Sequence, residues 1–135
     1  MEKLVVVIGL PRSGKSTFCQ TLDNYILFDD FLQNYYNGKL LDTIKNKPYV
    51  CINDPRLCNY KTFERIMKDI LEITYNDKIE LVLFENNKEH CLLNSEDKRR
   101  DNDIVNLSKF YDINNYTSYN HKIIPVYQKN LLFNS

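Results

Sequence analysis

A chain of 135 residues suffices for one domain whose core buries roughly 65–70% of the unfolded surface. Lys and Arg number 18, as do Asp and Glu, so the formal net charge is zero. That excludes a strongly basic nucleic-acid binder, though not a local basic patch. Hydrophobic residues at 43% and charged residues at 27% exclude a disordered chain.

The apolar run at residues 4–8 is far shorter than the ~20 residues of a membrane helix. It is also too short for a secretory signal, and a glycine loop follows it at once. A cytoplasmic protein with no membrane partner is therefore expected. The cysteines are Cys19, Cys51, Cys58 and Cys91, with no C-x-x-C, and the only histidines are His90 and His121. Reduced, buried thiols are expected rather than a zinc site.

No repeat, low-complexity tract or linker divides the chain, so residues 1–135 read as a single domain. Residues 3–8 (KLVVVI) form an unbroken β-branched run, the pattern of a parallel strand covered on both faces. Residues 9–14 read as a turn and 15–22 as a helix. Residues 25–28 (YILF) read as a second strand ending at Asp29-Asp30, and 31–37 as a helix stopped near Gly38. A third strand spans 48–53. The spacing of Phe63, Ile66, Met67, Ile70 and Leu71 predicts an amphipathic helix over 60–75. Residues 78–84 (KIELVLF) are the fourth strand, and 88–98 and 104–111 are helical segments. Residues 122–127 (KIIPVY) are the last strand, placed at a sheet edge by Pro125. Strands alternating with helices predict a three-layer α/β fold with a mostly parallel sheet of about five strands.

The sharpest signal is Gly9-Leu10-Pro11-Arg12-Ser13-Gly14-Lys15-Ser16-Thr17, which matches G-x-x-x-x-G-K-S/T between a strand and a helix. Such a loop turns backbone N–H groups inward on an anion, and the following helix adds its positive end. Lys15 is expected to reach the β- and γ-phosphates of a nucleoside triphosphate. Ser16 is expected to hold Mg²⁺, and Thr17 to meet the α-phosphate. Arg12 either contacts a phosphate or faces solvent. The alternatives are a chance match and a loop that binds nucleotide without chemistry.

A guanine-specific switch does not fit. Asp54 is followed by Pro55-Arg56-Leu57, without the glycine of D-x-x-G, and His90 stands where N-K-x-D needs its carboxylate. A small phosphotransferase fits better. Its acceptor hydroxyl needs a carboxylate near the γ-phosphate, and strand carboxyl ends are where one belongs. Asp29 and Asp30 end the second strand, and their alternative role is a helix cap. Asp54 ends the third, and its alternative is a turn before Pro55. Glu85 ends the fourth and reads as a solvated turn. Arg56 is either a ligand for an acceptor phosphate or a surface residue. Lys98-Arg99-Arg100 stand where a phosphate-closing lid belongs, or pair with Glu96, Asp97, Asp101 and Asp103 around them. Tyr35, Tyr36, Tyr116 and Tyr119 read as packing residues before base-stacking ones.

At these residues the chain resembles the P-loop kinase domain of phage-type polynucleotide 5′-kinases and related small viral and phage kinases. The likeness runs in order through GLPRSGKST, LFDDF, INDPRL and the late KRR. Only the first is a specific motif. The resemblance implies Asp29 as general base, with Asp30 beside it. It places Asp54 near the acceptor, and Arg99 and Arg100 on the nucleotide phosphates. It also implies the host cytoplasm for a viral protein. The chain departs from the pattern twice. Leu32 stands where the family grips the acceptor phosphate with arginine, and Arg99 and Arg100 are adjacent rather than a helical turn apart.

The expected function is ATP- and Mg²⁺-dependent phosphoryl transfer to a hydroxyl, foremost a nucleic-acid 5′-hydroxyl. The catalytic set is Lys15, Asp29, Asp30, Arg99 and Arg100. Nucleotide is held by Gly9, Pro11, Arg12, Ser13, Gly14, Lys15, Ser16 and Thr17, and the acceptor by Asp54 and Arg56. A nucleoside, nucleotide or small-metabolite acceptor is one alternative, and a nucleotide-binding interaction protein with a decayed acceptor site is another.

Overall fold

The KLVVVI run becomes the central strand β1 (Lys3–Ile8). In the computed structural model, which describes residues 1–34 and 39–128, it is flanked by β2 (Ile26–Asp29), β3 (Tyr49–Asn53), β4 (Ile79–Phe84) and β5 (His121–Ile124). The order across the sheet is β2-β3-β1-β4-β5, and every pairing is parallel. The carboxyl ends of all five strands therefore open on one edge.

Alternation along β1 divides the core. Leu4, Val6 and Ile8 enter one buried cluster, and Val5 and Val7 the other. The first cluster receives Ile44 of α2 (Lys39–Ile44) and Phe63, Ile66, Met67 and Ile70 of α3 (Tyr60–Ile70). It also receives Cys91 of α4 (Lys88–Asn94) and Ile104 of α5 (Asp101–Ser108). The second face is covered by α1 (Lys15–Cys19) through Phe18 and Cys19, with Leu22 and Tyr25 beyond it.

The strands match their expected places within a residue or two, except β5. It begins at His121 and stops before Pro125, which has no N–H to continue a ladder. Its edge position is as expected. The helices differ more. The expected helix over 15–22 is regular only to Cys19. Single turns, Thr21 N–H to Phe18 and Leu22 N–H to Cys19, carry the chain onward. α3 ends at Ile70 rather than 75, and α4 ends at Asn94 because Ser95 turns extended. The Ser95 hydroxyl then donates to Asp101 at 2.7 Å. α5 starts a turn early, with Asp101 and Asp103 in its favoured acidic first turn. Phe31–Asn34 form a 3₁₀ turn. The rest of that expected helix, with Tyr35 and Tyr36, lies outside the described residues. α2 carries too little pattern to have been expected.

The tyrosines pack. Tyr116 is buried with its ring 4.8 Å from Phe63, and Tyr119 stands 5.6 Å from Phe63. The 4 cysteines are free and buried. Among the described residues no helix is long and apolar enough to cross a membrane.

One carboxylate ties the strand ends together. Asp54, fully buried, accepts the Leu32 N–H at 2.8 Å and the Arg56 N–H at 2.9 Å. Arg56 Nε and Nη2 complete the set at 2.9 and 2.7 Å. The segment after β2 is thereby anchored to the turn after β3. Asp54→Ala orphans the buried Leu32 N–H and the turn, so it should cost about 2–4 kcal/mol in urea unfolding. A loss under about 0.5 kcal/mol, the range of ordinary surface changes, would contradict the anchoring role.

Candidate functional site

The chain leaves β1 at Ile8 and enters the glycine loop under tight steric constraint. A Cβ on Gly9 would stand 2.7 Å from Ser13 Oγ and 2.8 Å from Phe84 Cβ. Gly14 has φ 105°, a conformation that strains L side chains, and its Cβ would stand 2.8 Å from Tyr127 Cβ. Arg12, at φ 68°, is also left-handed. Inside the loop, Ser13 N–H donates to Leu10 O at 3.2 Å. From outside, Tyr127 N–H donates to Ser13 O at 2.9 Å, and the Asn94 amide donates to the carbonyls of Arg12 and Tyr127. Two glycines and these outer struts thus set the curve of the loop.

Lys15 lies inside this curve, 7% exposed, its Nζ donating to Leu10 O at 2.7 Å. Among the described residues it enters no ion pair. Desolvation depresses its pKa, against the opposing pull of the Asp54 and Asp29 carboxylates. The neighbouring sulfurs supply no counter-charge. Burial pushes Cys58 up to about 12 and Cys91 up to about 11, so both remain thiols near neutrality.

A cavity of about 570 Å³ opens over the strand ends. Pro11, Arg12, Gly14, Lys15, Ser16 and Thr17 of the loop line it, with Asp29 and Asp30 at the end of β2 and Arg100 from the segment after α4. Gly9 and Ser13 do not line it. Gly9 fits against Phe84, and Ser13 is buried beneath the loop with its Oγ unpartnered.

Asp29 and Asp30 differ in support. Asp29 Oδ1 accepts the Asn53 amide at 3.0 Å. Asp30 adopts φ 48°, and its carbonyl opens the next turn by accepting Gln33 N–H at 2.9 Å.

Asp54 and Arg56 bind each other instead of lining the cavity, so the turn before Pro55 is the role the geometry gives Asp54. Leu32, in the place of the expected acceptor-gripping arginine, is a core residue. Of the adjacent arginines only Arg100 reaches the cavity. Arg99 is 90% exposed, its Nε 3.0 Å from Asp97, and its bonds hold that carboxyl below the usual range.

Sequence reasoning passed over Asn53, Asn94, Ser95, Asp103 and Tyr127, all on the cavity wall. Asn53 was within reach: it ends an apolar strand one residue before Asp54, an unusual place for an amide.

Among the described residues no group of three or more His, Cys, Asp or Glu could hold a metal. The exposed Ser16 hydroxyl on the cavity wall does fit Mg²⁺, which takes one or two protein oxygens and completes its shell with phosphates and waters.

No protein-family model matches the chain. It is 38% identical over 137 residues to a protein of Acanthamoeba polyphaga mimivirus described as "Uncharacterized protein R277", an alignment covering 94% of this chain and 99% of that one. The chain belongs to the family of that mimivirus protein.

Proposed function

We propose that this protein is an ATP- and Mg²⁺-dependent kinase that transfers the γ-phosphoryl group to an acceptor hydroxyl, foremost a nucleic-acid 5′-hydroxyl. The observation that carries the reading is the Lys15 ammonium, buried on the cavity wall with no carboxylate in ion-pair contact among the described residues. A buried charge is costly unless paired, and the triphosphate tail of a nucleotide is the partner this loop is shaped to receive. Because α1 has only 5 residues, the grip rests on loop amides and Lys15 more than on a helix dipole.

In this reading the loop and Lys15 hold the β- and γ-phosphates. The Ser16 hydroxyl would hold Mg²⁺, which would supply charge neutralisation to the donor phosphates. Arg12 and Arg100, both on the cavity wall, add positive charge toward the phosphates. The acceptor oxygen bonds to the γ-phosphorus as the bond to the bridging oxygen breaks. The hydroxyl proton passes to the carboxylate of Asp29 or Asp30, and ADP departs. Nucleosides, nucleotides and small metabolites are the alternative acceptors to test.

A second reading, nucleotide binding without transfer, is favoured by one feature. Leu32 is 8% exposed in the core and Arg56 is engaged with Asp54, so neither side chain is presented to an acceptor phosphate.

Two outcomes test the proposal. Thermal unfolding with MgATP should show stabilisation, about 2.7 kcal/mol at about 100-fold excess over Kd. Lys15→Met should abolish that gain. It should leave the ligand-free stability within about 1–2 kcal/mol, because relief of a buried charge opposes loss of the Leu10 carbonyl's donor. A ligand response that survives in this variant would contradict the site.

Label transfer from γ-³²P-ATP, offered to 5′-hydroxyl oligonucleotides, nucleosides and nucleoside monophosphates, should fall about 10²- to 10⁴-fold in Asp29→Asn or in Asp30→Asn, but not equally in both. Normal turnover in both variants would make the acid pair structural. Stabilisation by MgATP with no transfer to any acceptor would establish the second reading.

A further inference from the structure

The last position of β3 is chemically out of place. Val50, Cys51 and Ile52 are apolar and buried, as a covered parallel strand requires. Asn53 follows them, 2% exposed. Its register partners are Val7 on one side and Asp29 on the other, so its side chain shares a sheet face with Asp29. Nδ2 donates to Asp29 Oδ1 at 3.0 Å, while Oδ1 is enclosed without a partner. A buried carbonyl left unpaired costs stability, and an aliphatic residue here would avoid that cost. The amide nitrogen is the part of the residue that bonds a cavity-lining side chain.

We propose that Asn53 is a positioning residue that fixes the carboxylate of Asp29 for proton abstraction. The inference rests on the kinase reading of the same site. The Asn53 N–H occupies Oδ1 and limits rotation of the carboxylate, leaving Oδ2 to take the acceptor proton as the new O–P bond forms and the bond to the ADP oxygen breaks. An amide suits this task better than a carboxylate, which would repel Asp29, or a lysine, which would neutralise it. Among the described residues no such donor holds the carboxylate of Asp30, which also lines the cavity. The arrangement assigns proton abstraction to Asp29.

The experiment is steady-state transfer from γ-³²P-ATP to a 5′-hydroxyl oligonucleotide, nucleosides and nucleoside monophosphates. It uses the full chain and Asn53→Leu, Asn53→Ser, Asp29→Asn and the Asn53→Leu/Asp29→Asn pair. Asn53→Leu should lower kcat about 10- to 100-fold while KM for ATP stays within about twofold. Its melting temperature should equal or exceed that of the natural chain, since the unpaired carbonyl is gone. In the Asp29→Asn background the Asn53 change should add less than about twofold, because its effect passes through Asp29. Asn53→Ser, too short to reach Asp29, should repeat the kcat loss if the leucine variant folds poorly. Wild-type kcat in either Asn53 variant, or full additivity in the pair, overturns the positioning role alone. No transfer by the natural chain to any acceptor overturns the kinase reading and the positioning role with it.

Discussion

The site depends on one buried ammonium group. Lys15 Nζ is satisfied by a single carbonyl, Leu10 O at 2.7 Å, and by no ion pair among the described residues. Holding a charge there requires a rigid surround, because a pliable one would let the side chain escape to water. The surround is built accordingly. Gly9 and Gly14 admit backbone and side-chain atoms where any Cβ would collide. Tyr127 and Asn94 brace the loop from distant parts of the chain. Depression of the lysine pKa by desolvation records the cost, which an incoming polyanion would reverse.

The strand ends are held as firmly as the loop. Two buried tyrosines brace the core beneath the strand ends. The Tyr111 hydroxyl donates to the Phe84 carbonyl and, at 3.4 Å, to Ile8 O, while that of Tyr116 donates to Leu57 O at 2.6 Å. Burial raises the pKa of both phenols, so they remain donors at any ordinary pH. Asp54 ties the segment after β2 to the turn after β3, and Asn53 ties Asp29 to β3. The polar groups of INDPRL thus have divided work: the aspartate holds the scaffold and the asparagine faces the cleft.

The inner strands were legible because burial on both faces leaves apolar runs, with KLVVVI the plainest. The loop was legible because its glycines, lysine and hydroxyl sit at fixed offsets between a strand and a helix. Helix ends were not, since they were set by tertiary partners such as the Ser95–Asp101 bond that follows α4. α2 escaped notice because it is short, with 6 residues and too little apolar spacing to mark a helix. Within the site, the placement of Asp29 and Asp30 on the cavity could be read from their position at a strand end. That Asp54 turns away from the cavity, and that Arg100 reaches it while Arg99 does not, could not. Neighbours in sequence differ there only by which way each side chain points, and a one-residue change at a strand end crosses from one face to the other.

Membership in a family with a mimivirus protein of nearly the same extent leaves the chemistry to be argued from the residues. The most direct test of that argument is a calorimetric titration of the full chain with MgATP, inorganic triphosphate and adenosine. A loop that grips phosphates through Lys15 should give saturable one-to-one binding of both MgATP and inorganic triphosphate, and no heat with adenosine. Binding of adenosine alone, or of none of the three, would contradict the phosphate-gripping role of the loop.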